Sequence, residues 1–332
     1  MTEQLLPGLF KIDVPLPGSP LKALNVYLLL GRRRHLLIDN GYNLPECREA
    51  LLGALAAIGA DMEHMDFFLT HCHADHCGLT ADLAVDSSAK VWCSAGDSGH
   101  IHTVFHGGEA YWRERILGML PHGFRPEDGD LLVEAHPARK YSSSRALDVT
   151  VARHGDILEY GRYALTVVST PGHTPDHLCL YEAKEELLFS GDHILDGITP
   201  NITRWRGFND SLGRYLQSLE AIAAYPVRLT LPGHRALVPE TRRRIAALQI
   251  HHAKRLAEVM EILRAGEADA YTVASRMQWA IRAASWNDFP VQLRWFACGE
   301  ALAHLEHLAA TGRAAQREQD GRILFAVTDS AG

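Results

Sequence analysis

One stretch of the chain carries residue types that do chemistry by themselves: Thr70-His71-Cys72-His73-Ala74-Asp75-His76-Cys77-Gly78. An apolar run, Phe67-Phe68-Leu69, delivers it. Side chains repeat with a period of two in extended chain, so His71 and His73 point the same way and can share one metal ion. Asp75 and His76, where the chain turns toward a helix expected from Gly78, would face a second position beside the first. A histidine-rich surface loop is the bland reading, and it loses ground because candidate ligands recur further on. His173 in Pro171-Gly172-His173-Thr174-Pro175-Asp176-His177, Asp192 in Gly191-Asp192-His193 and His234 in Pro232-Gly233-His234 each stand where a strand is expected to end. A rigid sheet fixes the origin of such loops, which is why sites are built there. Imidazoles with carboxylates suit zinc, iron or manganese, and zinc is the default where no redox chemistry is evident.

Those loops need elements to hold them. Residues 23–30 and 35–39 read as a hairpin, 46–58 as a helix, 66–70 as the short strand before the histidine block, and 90–93 as the next strand. Residues 1–20, with four prolines, read as an edge strand and turns. Strands are expected at 163–169, 178–182, 187–190 and 227–231, with a helix over 210–224. The alternation argues for a layered α/β architecture. Between about 96 and 145 the pattern breaks into an amphipathic, histidine-bearing excursion, expected to be a helical insertion over the active face. Helices at 239–265, 272–281 and 291–310 and a hairpin at 312–327, turning at Asp320-Gly321, complete the chain.

Composition bounds the rest. The 332 residues are 47% apolar and 22% charged, enough to bury a large domain and a smaller one. Net charge is −7, whereas residues 241–332 carry 12 Lys and Arg against 10 Asp and Glu. Neither part has the electrostatic footprint of a strong polyanion binder. The six cysteines form no C-x-x-C pair and no disulfide framework, so a reducing cytoplasm is expected. No export signal and no run of 18 apolar residues is present, so neither export nor membrane spanning is expected.

Five separated pieces now agree: Asp39, the H-x-H-x-D-H block, His173, Asp192 and His234. In this the chain resembles the metallo-β-lactamase superfamily of hydrolases over about residues 20–240. The resemblance implies an αββα sandwich, two mixed β-sheets flanked by helices, as a catalytic domain over 1–238. Residues 239–332 resemble the small, mainly helical, winged-helix-like extension of β-lactamase-like proteins. By the same resemblance His71, His73 and His173 would hold one divalent ion, and Asp75, His76 and His234 a second. Asp192 would bridge the two, and Asp39 would support the site by hydrogen bonds. Two zinc ions per chain are implied, with iron or manganese as the other choices. His177 and His193 match no ligand position and read as pocket or supporting residues.

The implied chemistry is hydrolysis of a thioester, ester or lactone, with Asp75 also orienting the nucleophile and carrying its proton. Zinc β-lactamases of the best-known class carry cysteine where this chain has Asp192 and arginine where it has His76, so antibiotic hydrolysis is disfavoured. The pattern is nearer the hydroxyacylglutathione hydrolase-like branch, and the partner expected is a small acyl substrate. Asn201, Trp205 and Arg204 or Arg206, in the loop after Asp192, are candidates to cradle an anionic acyl carrier such as coenzyme A. The alternatives are a single-stranded RNA endonuclease, with Arg242-Arg243-Arg244 on phosphates, and a metal-bearing binding protein without turnover. The C-terminal part could also form a homodimer contact.

Overall fold

The structure is a computed structural model that describes residues 1–85, 87–281 and 283–328. Two compact units divide the chain. The first comprises Met1–His106, Pro137–Pro200 and Ser218–Ile245, and the second Gly107–His136, Asn201–Gln217 and Ala246–Gly332. The second unit therefore starts its last segment at Ala246 rather than 239, and 107–136 and 201–217 cluster with that segment.

The first unit is a two-sheet sandwich. One sheet runs β1 (Thr2–Leu6), β2 (Leu9–Pro15), β3 (Ala23–Leu29), β4 (His35–Ile38), β5 (Met65–Phe68), β6 (Val91–Cys93) and β7 (Thr150–Val151), each beside the next. Pairing is antiparallel as far as β4 and parallel from there to β7. The other sheet takes β8 (Ile157–Tyr160), β9 (Tyr163–Ser169), β10 (Leu178–Glu182), β11 (Leu187–Gly191) and β12 (Leu229–Pro232), with only β11 and β12 parallel. The expected edge strand at 1–20 is two strands, turned at Pro7-Gly8 with Gly8 at φ +77°. Leu29, Leu36, Ile38 and Phe68 of one sheet meet Leu165, Val167, Leu180 and Phe189 of the other in a single buried cluster. Each such side chain contributes roughly 1.5–3 kcal/mol on burial.

Two polar pins cross the core and set the sheets in register. Tyr160 donates from its hydroxyl to Asp66 Oδ2 at 2.8 Å, and Arg34 Nε reaches Asp66 Oδ1 at 2.7 Å. Tyr27 and Asn25 on β3 donate to the carbonyl of Pro232 at 2.8 and 2.9 Å, at the end of β12. That second pin ties the start of the His234 loop to the opposite sheet.

Helices flank the sandwich. In chain order they are α1 (Pro45–Ile58), α2 (Ala74–Cys77), α3 (Thr80–Ala84) and α4 (Ala95–His106), then α5 (Gly108–Leu117), α6 (Gly129–Ala135) and α7 (Pro137–Tyr141). The excursion at 96–145 is thus helical, and its middle, with α5 and α6, lies in the second unit. The division between units falls within α8 (Ser211–Ala223) and α9 (Thr241–Arg264). The second unit ends with α10 (Ala270–Arg276), α11 (Val291–Ala310) and the hairpin β13 (Ala314–Gln319) and β14 (Arg322–Val327). Asp320 and Gly321 both have positive φ, as a two-residue hairpin turn needs. Phe124 meets Trp295 edge-on at 5.1 Å within this unit. Among the described residues no helix is long and apolar enough to cross a membrane. All six cysteines are buried and unpaired.

Candidate metal centre

The seven sequence candidates converge at one end of the sandwich. The first strand end is β5, beyond which the chain bends through Thr70, His71 and Cys72 to His73, the N-cap of α2 at φ −68° and ψ 144°. One turn of helix then brings Asp75 and His76 round, with the His76 amide bonded to the His73 carbonyl at 2.9 Å. His173 follows β9, Asp192 follows β11 and His234 follows β12. Gly233 makes room for this convergence: a β-carbon there would stand 2.7 Å from His76 Cε1 and 3.0 Å from Asp192 Oδ1.

Two donor sets result. In one, His73 Nδ1 lies 3.0 Å from both His71 Nε2 and His173 Nε2. In the other, Asp75 Oδ2 lies 3.3 Å from His234 Nε2 and 3.9 Å from His76 Nε2. Asp192 stands between them. Its Oδ1 is 3.4 Å from His76 Nε2 and 3.6 Å from His234 Nε2, while its Oδ2 is 3.6 Å from His173 Nε2. Nitrogen and oxygen ligands about 2.0–2.1 Å from a tetrahedral ion stand about 3.3 Å apart, so these spacings suit shared cations. The donors also lack other employment, since His76 Nε2, His234 Nε2 and Asp192 Oδ1 are buried and make no hydrogen bond. Leaving one such atom unsatisfied costs about 1–3 kcal/mol, which a divalent cation would offset. The donor set fits that group.

Hydrogen bonds behind the donors fix which nitrogen each ring presents. Asp39, held at φ +58° at the end of β4, accepts from His76 Nδ1 at 2.7 Å and from the Thr70 hydroxyl at 2.8 Å. Because the Thr70 hydroxyl donates to Asp39, its oxygen is free to accept from His71 Nδ1 at 3.0 Å. One carboxylate therefore turns Nε2 of two imidazoles inward, one in each set. His234 Nδ1 donates to the Ala23 carbonyl at 2.9 Å with the same consequence. Such outer partners set ring orientation and ligand basicity.

The electrostatics divide along the same line. Burial pushes His71 and His73 well below the usual imidazole pKa, which keeps them neutral donors. Burial also opposes charge on His76, but Asp192, Asp39 and Asp75 outweigh it and raise that pKa well above the usual value. Burial raises the Asp75 carboxyl, yet His76 and His234 prevail and hold it at about 2. The carboxylate-rich side of the site calls for positive charge at neutral pH.

The remaining candidates scatter. His177 is fully buried, its Nδ1 2.8 Å from the Thr170 hydroxyl and its ring 5.2 Å from that of His71. His193 is also fully buried, its amide bonded to the Ser190 carbonyl. Asn201, Trp205 and Arg206 belong to the second unit, where Arg115 lies over the Trp205 ring at 5.8 Å and Arg206 pairs with Glu114. Sequence reading missed the Thr70 relay and the buried carboxyl of Asp97, which accepts from Thr174 Oγ1 at 2.9 Å. Burial pushes the Asp97 carboxyl up to about 7. Nothing in the spacing of Asp97 announces it, because its partner is 77 positions away.

Comparison with known proteins agrees with this geometry. Residues 21–234 match the family described as the metallo-beta-lactamase superfamily, and 290–328 match the metallo-beta-lactamase-like C-terminal domain. The chain superposes on a metallo-beta-lactamase family protein of Thermus thermophilus with a TM-score of 0.83 and 28% identity, covering 98% of this chain and 100% of that one. It is 24% identical to an atrochrysone carboxyl ACP thioesterase of Aspergillus fumigatus, over 94% of this chain and 60% of the relative. It is 27% identical to the acyl-coenzyme A thioesterase MBLAC2 of Gallus gallus, over 68% of this chain and 77% of that protein. Against several fungal relatives, that ACP thioesterase among them, the match spans only about 55–60% of the relative's length. A family match over residues 21–234, well over half the length, joins the strand-end histidines and aspartates and the two-sheet sandwich in one conclusion: the chain belongs to the metallo-β-lactamase superfamily.

Proposed function

We propose that the protein is a metal-dependent hydrolase of a thioester or related ester or lactone, with two divalent cations, zinc by default, as cofactor. The observation that carries this reading is Asp192, whose two carboxylate oxygens face different donor sets. His71, His73 and His173 would hold one cation, Asp75, His76 and His234 the other, and Asp192 both. When bound, such cations make hydroxide available near neutral pH and polarise a carbonyl.

The chain's own residues do the rest. Asp75 keeps 15% of its side chain accessible, and its low pKa keeps it ionised and so able to accept a proton from the attacking water. Thr70 and Asp39 keep the imidazoles in the donor tautomer. The names of two relatives support the thioester class, one acting on an acyl carrier protein and the other on acyl-coenzyme A. RNA cleavage gains nothing from the basic run at 242–244, because Arg243 pairs with Glu240 and Arg244 donates to the carbonyls of Leu195 and Ile198.

Elemental analysis of the purified protein, with a panel of acyl-coenzyme A and acyl-pantetheine thioesters, lactones, β-lactams and short RNA, tests this. The expected result is about two metal ions per chain, with thioester or lactone turnover that a chelator abolishes and added zinc or manganese restores. Reconstituted protein that hydrolyses no acyl substrate would overturn it.

A further inference from the structure

The three imidazoles of the first donor set come from two separate loops. His71 and His73 follow β5, whereas His173 follows β9 on the other sheet. Their nitrogens stand 3.0 Å apart, so something must hold loop against loop. The first turn of α4 lies against both. Asp97, 1% exposed, accepts from the hydroxyl of Thr174, the residue after His173, at 2.9 Å. That turn follows β6, which pairs with β5 and takes the Leu69 amide on its Trp92 carbonyl at 2.9 Å, so Asp97 stands on the element next to the loop that carries His71 and His73. One residue earlier, the amide of Gly96 donates to Asp176 Oδ2 at 2.8 Å, a second staple on the His173 loop. Any β-carbon at Gly96 would sit 2.1 Å from that oxygen and displace it.

Among the described residues no cation pairs with Asp97, so this carboxyl contributes no ion pair and its burial is a cost that only hydrogen bonds offset. A buried acid of that kind is kept for geometry. We propose that Asp97 is a positioning residue which clamps the His173 loop to the His71–His73 loop and so sets the spacing of the first donor set. The inference rests on reading that set as metal ligands.

The test uses the full chain, stripped of metal and titrated with Co2+ and Zn2+ against a competing chelator. Asp97→Asn, Thr174→Val, the double variant and His173→Ala are compared with the unaltered protein. Thr174→Val removes one hydroxyl and keeps the shape, which preserves the test if Asp97→Asn folds poorly. The expected result is a 10–100-fold loss of affinity at one of two sites and an altered Co2+ absorption spectrum in both single variants. The metal-free melting temperature should stay within a few degrees, and the double variant should be no worse than the poorer single one. If both single variants bind metal as the unaltered protein does while His173→Ala loses a site, the clamp is refuted and the ligand reading stands. Lower metal-free stability with unchanged affinity refutes it equally. If His173→Ala loses nothing, the ligand reading itself fails and the clamp with it.

Discussion

Asp39 does two things with one carboxylate, and both need a group that only accepts. Its Oδ2 takes a hydrogen bond from His76 directly and from His71 through Thr70, so the tautomers of both rings depend on it. The other oxygen, Oδ1, accepts from the Thr70 amide at 2.9 Å, so an asparagine would turn its NH2 either toward that N–H or toward the two hydrogens on Oδ2. Asp39→Asn is therefore expected to leave the fold intact and to weaken metal binding 10–100-fold, as titration calorimetry of the metal-free protein would register. Unchanged affinity would show that the rings are oriented by their packing alone. At this scale the sequence was legible where spacing is local. His71, His73, Asp75 and His76 lie within one strand end and one helical turn, and His173, Asp192 and His234 each follow a strand of their own. Thr70 was visible only as a threonine, since its role exists through Asp39, 31 positions away. Asp97 was hidden for the same reason.

Elements were legible where their apolar period ran long enough. α1, α9 and α11 and the strands β9 and β10 fall within a residue or two of the expected spans, and the Asp320-Gly321 turn fixed the last hairpin. β7, of two residues, carries too little pattern to be read, and β8, of four, went unread beside it. The pairing of α9 with α11 in the second unit also escaped, and it makes a prediction. His304 Nδ1 donates to the Glu300 carbonyl at 2.8 Å, so its Nε2 accepts from His252 Nδ1 at 3.2 Å, an arrangement that needs His304 neutral, while burial keeps His252 neutral. Burial, with Arg255, His251 and His307 nearby, lowers their pKa values to about 2 and about 3. The folded values lie below the unfolded 6.5, so this stability is complete above about pH 6.5 and is lost as pH falls toward 3. Two such histidines together remove about 2 kcal/mol between pH 6 and pH 5. Denaturant unfolding of metal-free protein, followed by tryptophan fluorescence, reads the right part of the molecule, because five of the six tryptophans lie in the second unit. The double variant His252→Leu, His304→Leu should lose that share of the pH dependence, and an identical slope would remove the pair from the account.

At the scale of the whole molecule the sequence misleads most, because chain order and spatial grouping part company. A boundary near 238 is natural where the last candidate ligand, His234, has been passed and a long helix begins. Yet residues 107–136 and 201–217 cluster with the C-terminal stretch, and the bonds that join them are specific. Arg294 holds Asp128 at 2.9 Å, Arg204 reaches Glu306 at 3.1 Å and His307 meets Asp210 at 2.9 Å. The hydroxyl of Thr203 would collide with any side chain at Gly299, 2.1 Å from where its β-carbon would stand. Removing residues 239–332 would therefore strip two internal segments of their packing and leave Asp128 and Trp112 without the unit they are buried in. Apolar surface newly exposed in this way favours association. A chain ending at 238 is expected to be insoluble or to bind a hydrophobic dye strongly, whereas one that also lacks 107–136, bridged by a short glycine-serine linker, should recover solubility in part. Sedimentation and dye binding of the two truncations decide it: a monomeric, well-folded 1–238 chain would mean that the sandwich supports these segments without the C-terminal helices.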